Sequence, residues 1–489
     1  MKSLRLGGLL LLFFCLTPQV HADVTVLLEE PYSYDGAFAG TGHTAIYLTR
    51  VCAASPTLLR RCNPGELGVV ISRYNRIGQY DWIAVPLLPY LYAVAEPEDI
   101  PLYADSKLVA FLRDQYRREN LEDLAPDKPS GETPGGDWVQ LVGSAYDRTS
   151  YGFQIETTTE QDDELIRWLN SGPNRKSYKA VSRNCADFVR EVVNFYYPKA
   201  ISRAILADFG VATPKHAAKS LVKYSERHSH LEISSFVIPQ VPGSIKRSRP
   251  VHGLIESVFK AKKYVLPLAV FHPFMAGGVA SIYMAGGRFN PAKNALVFNP
   301  AGGLEQPLSA QERRAYQKSL DDLLRTLRDE KPAQEGLSWQ QFQERAQPSL
   351  DPFGRPVLQA DFADKPVALG ISRGSFFNSG PPAELQREIL VTRLRAELAA
   401  GRPPKTSSIA LHDDWQLLQK VIASPREGVT AHAPDGGVKN LGCGFQPSCH
   451  VYGVPIDAAL VPAVKLQDQE SPFVAGGETP DEFDIPWFD

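Results

Sequence analysis

A surplus of charge of one sign is missing from this 489-residue chain. Its 52 Lys and Arg against 55 Asp and Glu leave a formal net charge of −3. So even a balance gives no overall attraction to polyanions, and nucleic acid is not expected as a partner. Methionine is scarce, at 3 residues. There is no glycine-rich phosphate loop, no His-Glu-x-x-His and no Gly-x-Ser-x-Gly, so the common signatures of phosphate-binding, zinc-peptidase and serine-hydrolase chemistry are absent. No cofactor or metal is called for, and no long internal repeat is visible. Cysteine is sparse too, with 6 in the whole chain.

Where those cysteines fall is informative. Residues 1–22 have the form of a secretory signal: basic Lys2 and Arg5, an apolar core from Leu6 to Leu16, and Val20-His21-Ala22 before the cleavage point. Cys15 goes with the signal, and loss of the two basic residues takes the mature formal charge to −5. The expected location is periplasmic or extracellular, where short-range disulfides are natural. Cys52 and Cys62 flank one loop and Cys443 and Cys449 another, which leaves Cys185 as the odd cysteine. An unpaired thiol in an oxidising compartment asks for a reason.

The local sequence supplies one. Ser182-Arg183-Asn184-Cys185-Ala186-Asp187-Phe188-Val189 reads as a helix start with Asn184 as N-cap. Phe188, Val189, Val192, Val193 and Tyr196 then recur at helical spacing, and Pro198 ends the run. A cysteine in the first turn sits at the positive end of the helix dipole beside unpaired N–H groups, which favours thiolate. Thiol catalysis also needs a base. His43 opens the alternating segment His43-Thr44-Ala45-Ile46-Tyr47-Leu48-Thr49-Arg50 behind the turn Gly40-Thr41-Gly42. Leu67 to Tyr74 reads as a second strand. The two form a hairpin with its long loop pinned by Cys52–Cys62, which sets His43 opposite Tyr74 and Asn75.

Gly42-His43-Thr44 in a strand, followed far downstream by Asn184-Cys185-x-x-Phe188 at a helix start, resembles the circularly permuted papain-like (NlpC-type) superfamily. There histidine precedes cysteine, as in the lecithin:retinol acyltransferase-like branch. The chain is most similar to the bacterial Lnb-type N-terminal periplasmic domain: the strand ending Tyr74-Asn75, the segment Tyr151 to Thr157 before a Thr-x-Glu/Gln helix, and the aromatic approach to Asn-Cys follow in the same order. The resemblance covers roughly residues 23–198 and departs at Ala186 and in the disulfide-pinned loop. It implies Cys185 as nucleophile and His43 as general base. Asn75 or Tyr74 would orient the imidazole, with Glu66 as runner-up, and Asn184 remains the cap.

The remaining chain divides by texture. Asp105–Asn120, Thr159–Leu169, Pro214–His228, Ser309–Arg328, Pro382–Ala400 and Asp413–Ile422 carry helical patterns. Tyr80–Val94 reads as strand and loop, and Trp138–Val142 as a strand. Between Lys215 and Lys263 lie ten Lys or Arg against three acids, next to an apolar run, Tyr264–Gly287, with no charged residue. Pro267, His272 and Pro273 interrupt that run, so an element lying on an anionic membrane surface is expected in preference to a span. His228-Ser229-His230 lacks further ligands nearby and reads as a solvated loop. For Cys443, Cys449 and His450 a disulfide is preferred over zinc.

The resulting expectation is an α+β protein with an antiparallel sheet packed with helices and a mixed, loop-rich C-terminal region. Its segments are a signal at 1–22, a permuted papain-like thiol domain at 23–200, a basic helix and apolar element at 201–300, and a mixed region with an acidic tail at 301–489. The expected activity is a cysteine-dependent hydrolase or acyltransferase acting through a Cys185 thioester on a cell-wall peptide or an envelope lipid. The alternative is a non-catalytic periplasmic scaffold for binding or maturing another envelope protein.

Overall fold

The computed structural model describes residues 22–423, apart from 35–36, 40, 76, 204–207, 209, 255, 257–266, 268, 284–287, 330–337, 363–364, 378–382 and 400–405. Residues 1–21 of the segment read as a signal, and the Cys443–Cys449 loop, therefore lie outside the described residues. The chain is α+β. Its strands are β1 (Ala22–Glu29), β2 (Tyr32–Tyr34), β3 (Ala37–Ala39), β4 (His43–Leu48), β5 (Val51–Ser55), β6 (Leu58–Arg61), β7 (Val69–Ser72), β8 (Ile83–Pro86), β9 (Ser150–Thr157), β10 (Ile233–Ile238), β11 (Leu296–Asn299), β12 (Gly303–Glu305), β13 (Gln347–Leu350), β14 (Pro356–Phe362) and β15 (Lys365–Gly370). Eight of them form one sheet in the order β12-β11-β10-β9-β1-β4-β7-β8, antiparallel except for β10 beside β11. Strands from both sides of residue 200 thus share one sheet.

The sequence of β1 explains its central place. Val24, Val26 and Leu28 bury one face, while Thr25, Leu27 and Glu29 bury the other, so the strand is covered on both sides. On the first face α4 (Thr159–Asn170), α5 (Cys185–Tyr196) and α6 (Pro214–Arg227) pack Leu165, Phe188, Val189, Val192, Val193 and Leu221 against Val26, Leu28, Ile46 and Ile71. On the second face α1 (Leu87–Tyr92), α2 (Ser106–Asn120), α3 (Ser144–Asp147) and the helix Ala383–Leu398 join a core that includes Leu27, Ala45 and Val70.

The strands 43–48 and 69–72 pair antiparallel, and the connecting loop folds into its own hairpin, β5–β6, closed by the Cys52–Cys62 disulfide. Two expectations are corrected. Tyr80–Val94 is a strand followed by a helix, α1, rather than strand and loop: Pro89 falls in the first helical turn, where a missing N–H costs nothing. Asp137–Leu141 is a 3-10 turn, not a strand. The chain is held there by Trp138 Nε1 donating to the Pro134 carbonyl at 2.8 Å, and by Arg113, which takes the carbonyls of Val142 and Gly143 at 3.0 and 3.2 Å. The cap of α4 is Thr158, whose side chain accepts from Gln161 N–H.

Candidate active site

Asn184 caps α5 as its sequence suggests. Its side-chain oxygen accepts from the Asp187 N–H at 2.9 Å, and Asp187 accepts from the Asn184 N–H at 3.3 Å. This reciprocal capping box fixes the entry of the helix. The other end of the Asn184 amide donates to the carbonyls of Ala180 and Ala212, at 2.8 and 3.0 Å, tying the cap to two loops. Asp187 is fully buried and also receives Arg203 at 2.5 Å. A further clamp comes from Arg73, just past β7. Its guanidinium donates to the Asn184 carbonyl at 3.3 Å and to Asp81 at 2.7 Å, reaches Glu191 at 3.1 Å and lies over the Phe188 ring. These contacts set Cys185 at the first helical position, buried to 8 % exposure.

Three backbone N–H groups converge on the Cys185 sulfur, those of Thr44, Ala186 and Cys185 itself. Each favours the thiolate, but burial is the larger influence and pushes the thiol up to about 11. Thr44 is the residue after His43, so the start of β4 and the start of α5 meet at the sulfur. His43 is buried as well. Burial and the positive charge of Arg148 hold its imidazole well below its ordinary value. Its Nε2 has no hydrogen-bond partner among the described residues, and no hydrogen bond joins the ring to Cys185. Gly42 makes the approach to His43 possible: its φ is +78°, and a Cβ there would lie 2.4 Å from the Glu29 carbonyl oxygen.

The candidates for the orienting position separate clearly. Tyr74 stacks on His43, with ring centroids 5.0 Å apart and an interplanar angle of 25°. Asn75 is exposed on the loop after β7. Glu66 is turned away to solvent, paired with Arg60 at 2.6 Å. Continuing the β4–β7 register beyond Ile46↔Ile71 brings His43 opposite Tyr74, which explains why the neighbour is the tyrosine.

Three site residues escaped the sequence reading: Glu29, Tyr90 and Arg148. Glu29 is the cross-strand partner of His43 in the β1–β4 register, so the two side chains share a face. Its carboxylate meets Arg148 at 2.7 Å and accepts from the Tyr90 hydroxyl at 2.5 Å, and both charged groups are at most 1 % exposed. Burial raises Glu29 above its ordinary range, partly countered by Arg148 and Tyr90. Tyr74 and Tyr90 hydrogen-bond each other, which links the ring stacked on His43 to the Glu29 carboxylate. The signal available was the period-two series Thr25-Leu27-Glu29, which carries an acid onto a buried face at the end of a strand.

Elsewhere, His228 stacks on Tyr224 and engages its carbonyl through Nδ1 at 2.8 Å. The group of metal-type ligands found among the described residues is Cys52, Cys62 and Glu66, and two of these are the disulfide. No protein-family model, curated protein or solved structure matches this chain.

Proposed function

We propose that this chain is an exported thiol hydrolase or acyltransferase in which the Cys185 sulfur attacks an acyl ester or amide carbonyl of the bacterial envelope. The observation that carries the reading is the set of backbone N–H groups, those of Thr44, Ala186 and Cys185, hydrogen-bonded to the sulfur, beside a buried imidazole whose Nε2 has no hydrogen-bond partner among the described residues. Donors that crowd the sulfur are close enough to serve the oxygen of a carbonyl under attack. In the proposed cycle, His43 accepts the thiol proton as the C–S bond forms. It returns that proton to the departing alcohol or amine as the acyl C–O or C–N bond breaks, leaving a Cys185 thioester. Water or an acceptor hydroxyl or amine then attacks the thioester, with His43 again moving the proton. The papain-like resemblance of residues 23–198 supports the same roles. The signal-like N-terminus supports a periplasmic or extracellular site of action, with a cell-wall peptide or an envelope lipid as substrate.

An anionic membrane surface is part of the proposal. Among the described residues no helix is long and apolar enough to cross a membrane. The helix Pro273–Ile282 and the turn before it instead expose Val270, Phe271, Phe274 and Met275, with Phe274 at 95 %. A helix apolar on every side and yet exposed lacks its proper solvent, and the lysines at 260, 262 and 263 precede it in sequence.

The test of catalysis uses p-nitrophenyl butyrate and the full mature chain. Expected are a burst of one p-nitrophenolate per chain and a hydroxylamine-labile butyryl adduct on Cys185. Cys185→Ser should show neither, and His43→Ala should acylate ~10²-fold more slowly or worse. A second reading, a non-catalytic scaffold, is favoured by one observation: the resting thiol is buried, held at about 11 and without a hydrogen bond to His43. Absence of a Cys185 adduct, or an adduct formed as fast in His43→Ala, decides for that reading.

A further inference from the structure

The chain leading into α5 carries charge of one sign. Residues 171–186 hold four Lys or Arg and no Asp or Glu. Arg183 and Arg73 share the carboxylate of Asp81, at 2.5 and 2.7 Å, and Arg73 also meets Glu191 at 3.1 Å. Asp187, in the same helical turn as Cys185, receives Arg203 at 2.5 Å and Arg190 at 3.5 Å. These acids are therefore already held by arginines. Arg175, Lys176 and Lys179 come in addition. All three are exposed, Arg175 lies over the Tyr80 ring at 5.3 Å, and none has a carboxylate within ion-pairing distance among the described residues.

These cations stay near the thiol because the loop folds back on itself. Lys179 and Arg183 exchange backbone hydrogen bonds, at 3.1 and 2.9 Å, in an isolated antiparallel bridge. Such a bridge holds its Cα atoms about 5 Å apart, and Arg183 is two residues from Cys185. The Lys179 backbone is therefore no farther than roughly 13 Å from that of Cys185. Tyr178, beside it, is half-buried; burial raises its hydroxyl most, and the charge of Cys185 comes next. An acid, Asp137, acts on Tyr178 in the same direction and offsets one of the three cations. In water, at roughly 10 Å and low salt, each remaining charge separates an arriving anion from a matching cation by about threefold.

We propose that the mouth of the Cys185 site admits anions in preference to cations, and that its acyl donor carries an anionic group near the scissile carbonyl, with Lys176 and Lys179 as the selecting residues. The part concerning the donor rests on the reading of Cys185 as an acyl-accepting thiol; the part concerning the mouth does not. Both lysines are flexible point charges in water, so they select by sign and steer an approaching donor without fixing its geometry.

The experiment uses the full mature chain at about 0.01 M salt and has two arms. The first is independent of catalysis. It compares the rates at which Cys185 is modified by an anionic methanethiosulfonate (the ethylsulfonate) and by a cationic one (the ethyltrimethylammonium). Mass spectrometry of the Cys185 peptide reads each rate, which is divided by the rate for 2-mercaptoethanol. The anion-to-cation ratio should be about tenfold in the parent and fall close to one in Lys176→Gln/Lys179→Gln. It should survive in Lys176→Arg/Lys179→Arg and fade at about 0.5 M salt, where screening acts within about 4 Å. The second arm compares acylation of Cys185 by the p-nitrophenyl esters of 4-sulfobutyrate and 4-trimethylammoniobutyrate, with the same preference expected and the same loss in the glutamine variant. A reagent ratio near one in the parent, or one that the glutamine variant leaves unchanged, overturns the proposal. Equal acylation by the two esters overturns the assignment of the donor. If neither ester acylates Cys185 while the reagent ratio holds, the catalytic reading falls and the anion-selective mouth stands.

Discussion

Arg148→Met tests the part of the site that lies beneath His43. Arg148 and Glu29 are each at most 1 % exposed and meet at 2.7 Å, so the substitution leaves a buried carboxylate whose remaining partner is the Tyr90 hydroxyl. Removing one member of a buried ion pair costs about 3–5 kcal/mol. Glu29 can escape part of that cost by taking a proton. Burial already raises its carboxyl above the ordinary 4.5, and loss of Arg148 removes the largest opposing influence, so the folded-state value climbs further. A carboxyl raised on folding contributes most below its unfolded value, and that contribution is lost as pH rises towards the folded one. The deficit of Arg148→Met relative to the parent should therefore be largest near pH 7.5. It should shrink towards pH 5.5 by up to about 2.7 kcal/mol, two pH units at about 1.36 kcal/mol each. Urea unfolding of parent and variant at the two pH values measures both deficits. The double variant Glu29→Gln/Arg148→Met should lose less than the two single losses added. The same substitution removes the charge that lowers His43, so the imidazole should titrate at higher pH in the variant, readable by NMR. A deficit below about 1 kcal/mol, or one of equal size at both pH values, refutes the picture of a buried charge pair under the imidazole.

Two further outcomes follow from other parts of the fold. Replacing Cys52 and Cys62 by Ser opens a cross-link of sequence separation 10 and should cost about 2–3 kcal/mol of unfolding free energy, read by urea unfolding; no loss refutes a stabilising role for the bridge. In flotation with vesicles of mixed phosphatidylglycerol and phosphatidylcholine, the parent should float and Phe271→Asp/Phe274→Asp should partition at least about 100-fold less, since burying each exposed phenyl contributes about 1.5–3 kcal/mol. Equal flotation of the variant removes the membrane proposal.

What could be read from the sequence was what local rules encode. Asn184 names the N-cap by type and position, and the structure has it, with Asp187 completing a capping box. The alternation of residues 43–48 gave a strand, and two cysteines ten apart closed the loop beside it. The misses share a physical cause. Whether Tyr80–Val94 becomes helix or strand depends on the packing of Tyr90, Leu91 and Tyr92 into the core on the second sheet face, which no window of the sequence contains. The Glu29–Arg148 pair joins residues more than a hundred apart through the adjacency of β1 to β4 and β9, and sheet order is a property of the whole fold. Asn75 and Tyr74 were indistinguishable as neighbours of His43 until the register fixed the face, because one residue of slip exchanges inside for outside.

The burial of the dyad candidates bears on how an unpaired cysteine would persist in the oxidising compartment proposed for this chain. Burial pushes the thiol up to about 11 and, with Arg148, holds the imidazole well below its ordinary value, so moving the proton from sulfur to ring is uphill in the resting site. The thiolate is the species that oxidants and alkylating agents attack, so a thiol held neutral is slow to be lost. The same balance means that rapid alkylation by iodoacetamide at neutral pH is not the right mark of activity for this protein. On the proposed function, attack on a carbonyl would instead be coupled: the C–S bond would form as the proton leaves, while the N–H groups of Thr44, Ala186 and Cys185 would serve the developing oxyanion. An activated ester can draw that coupled step out of the resting pair. A charge-seeking alkylator cannot, which is why acylation by p-nitrophenyl butyrate discriminates between catalyst and scaffold.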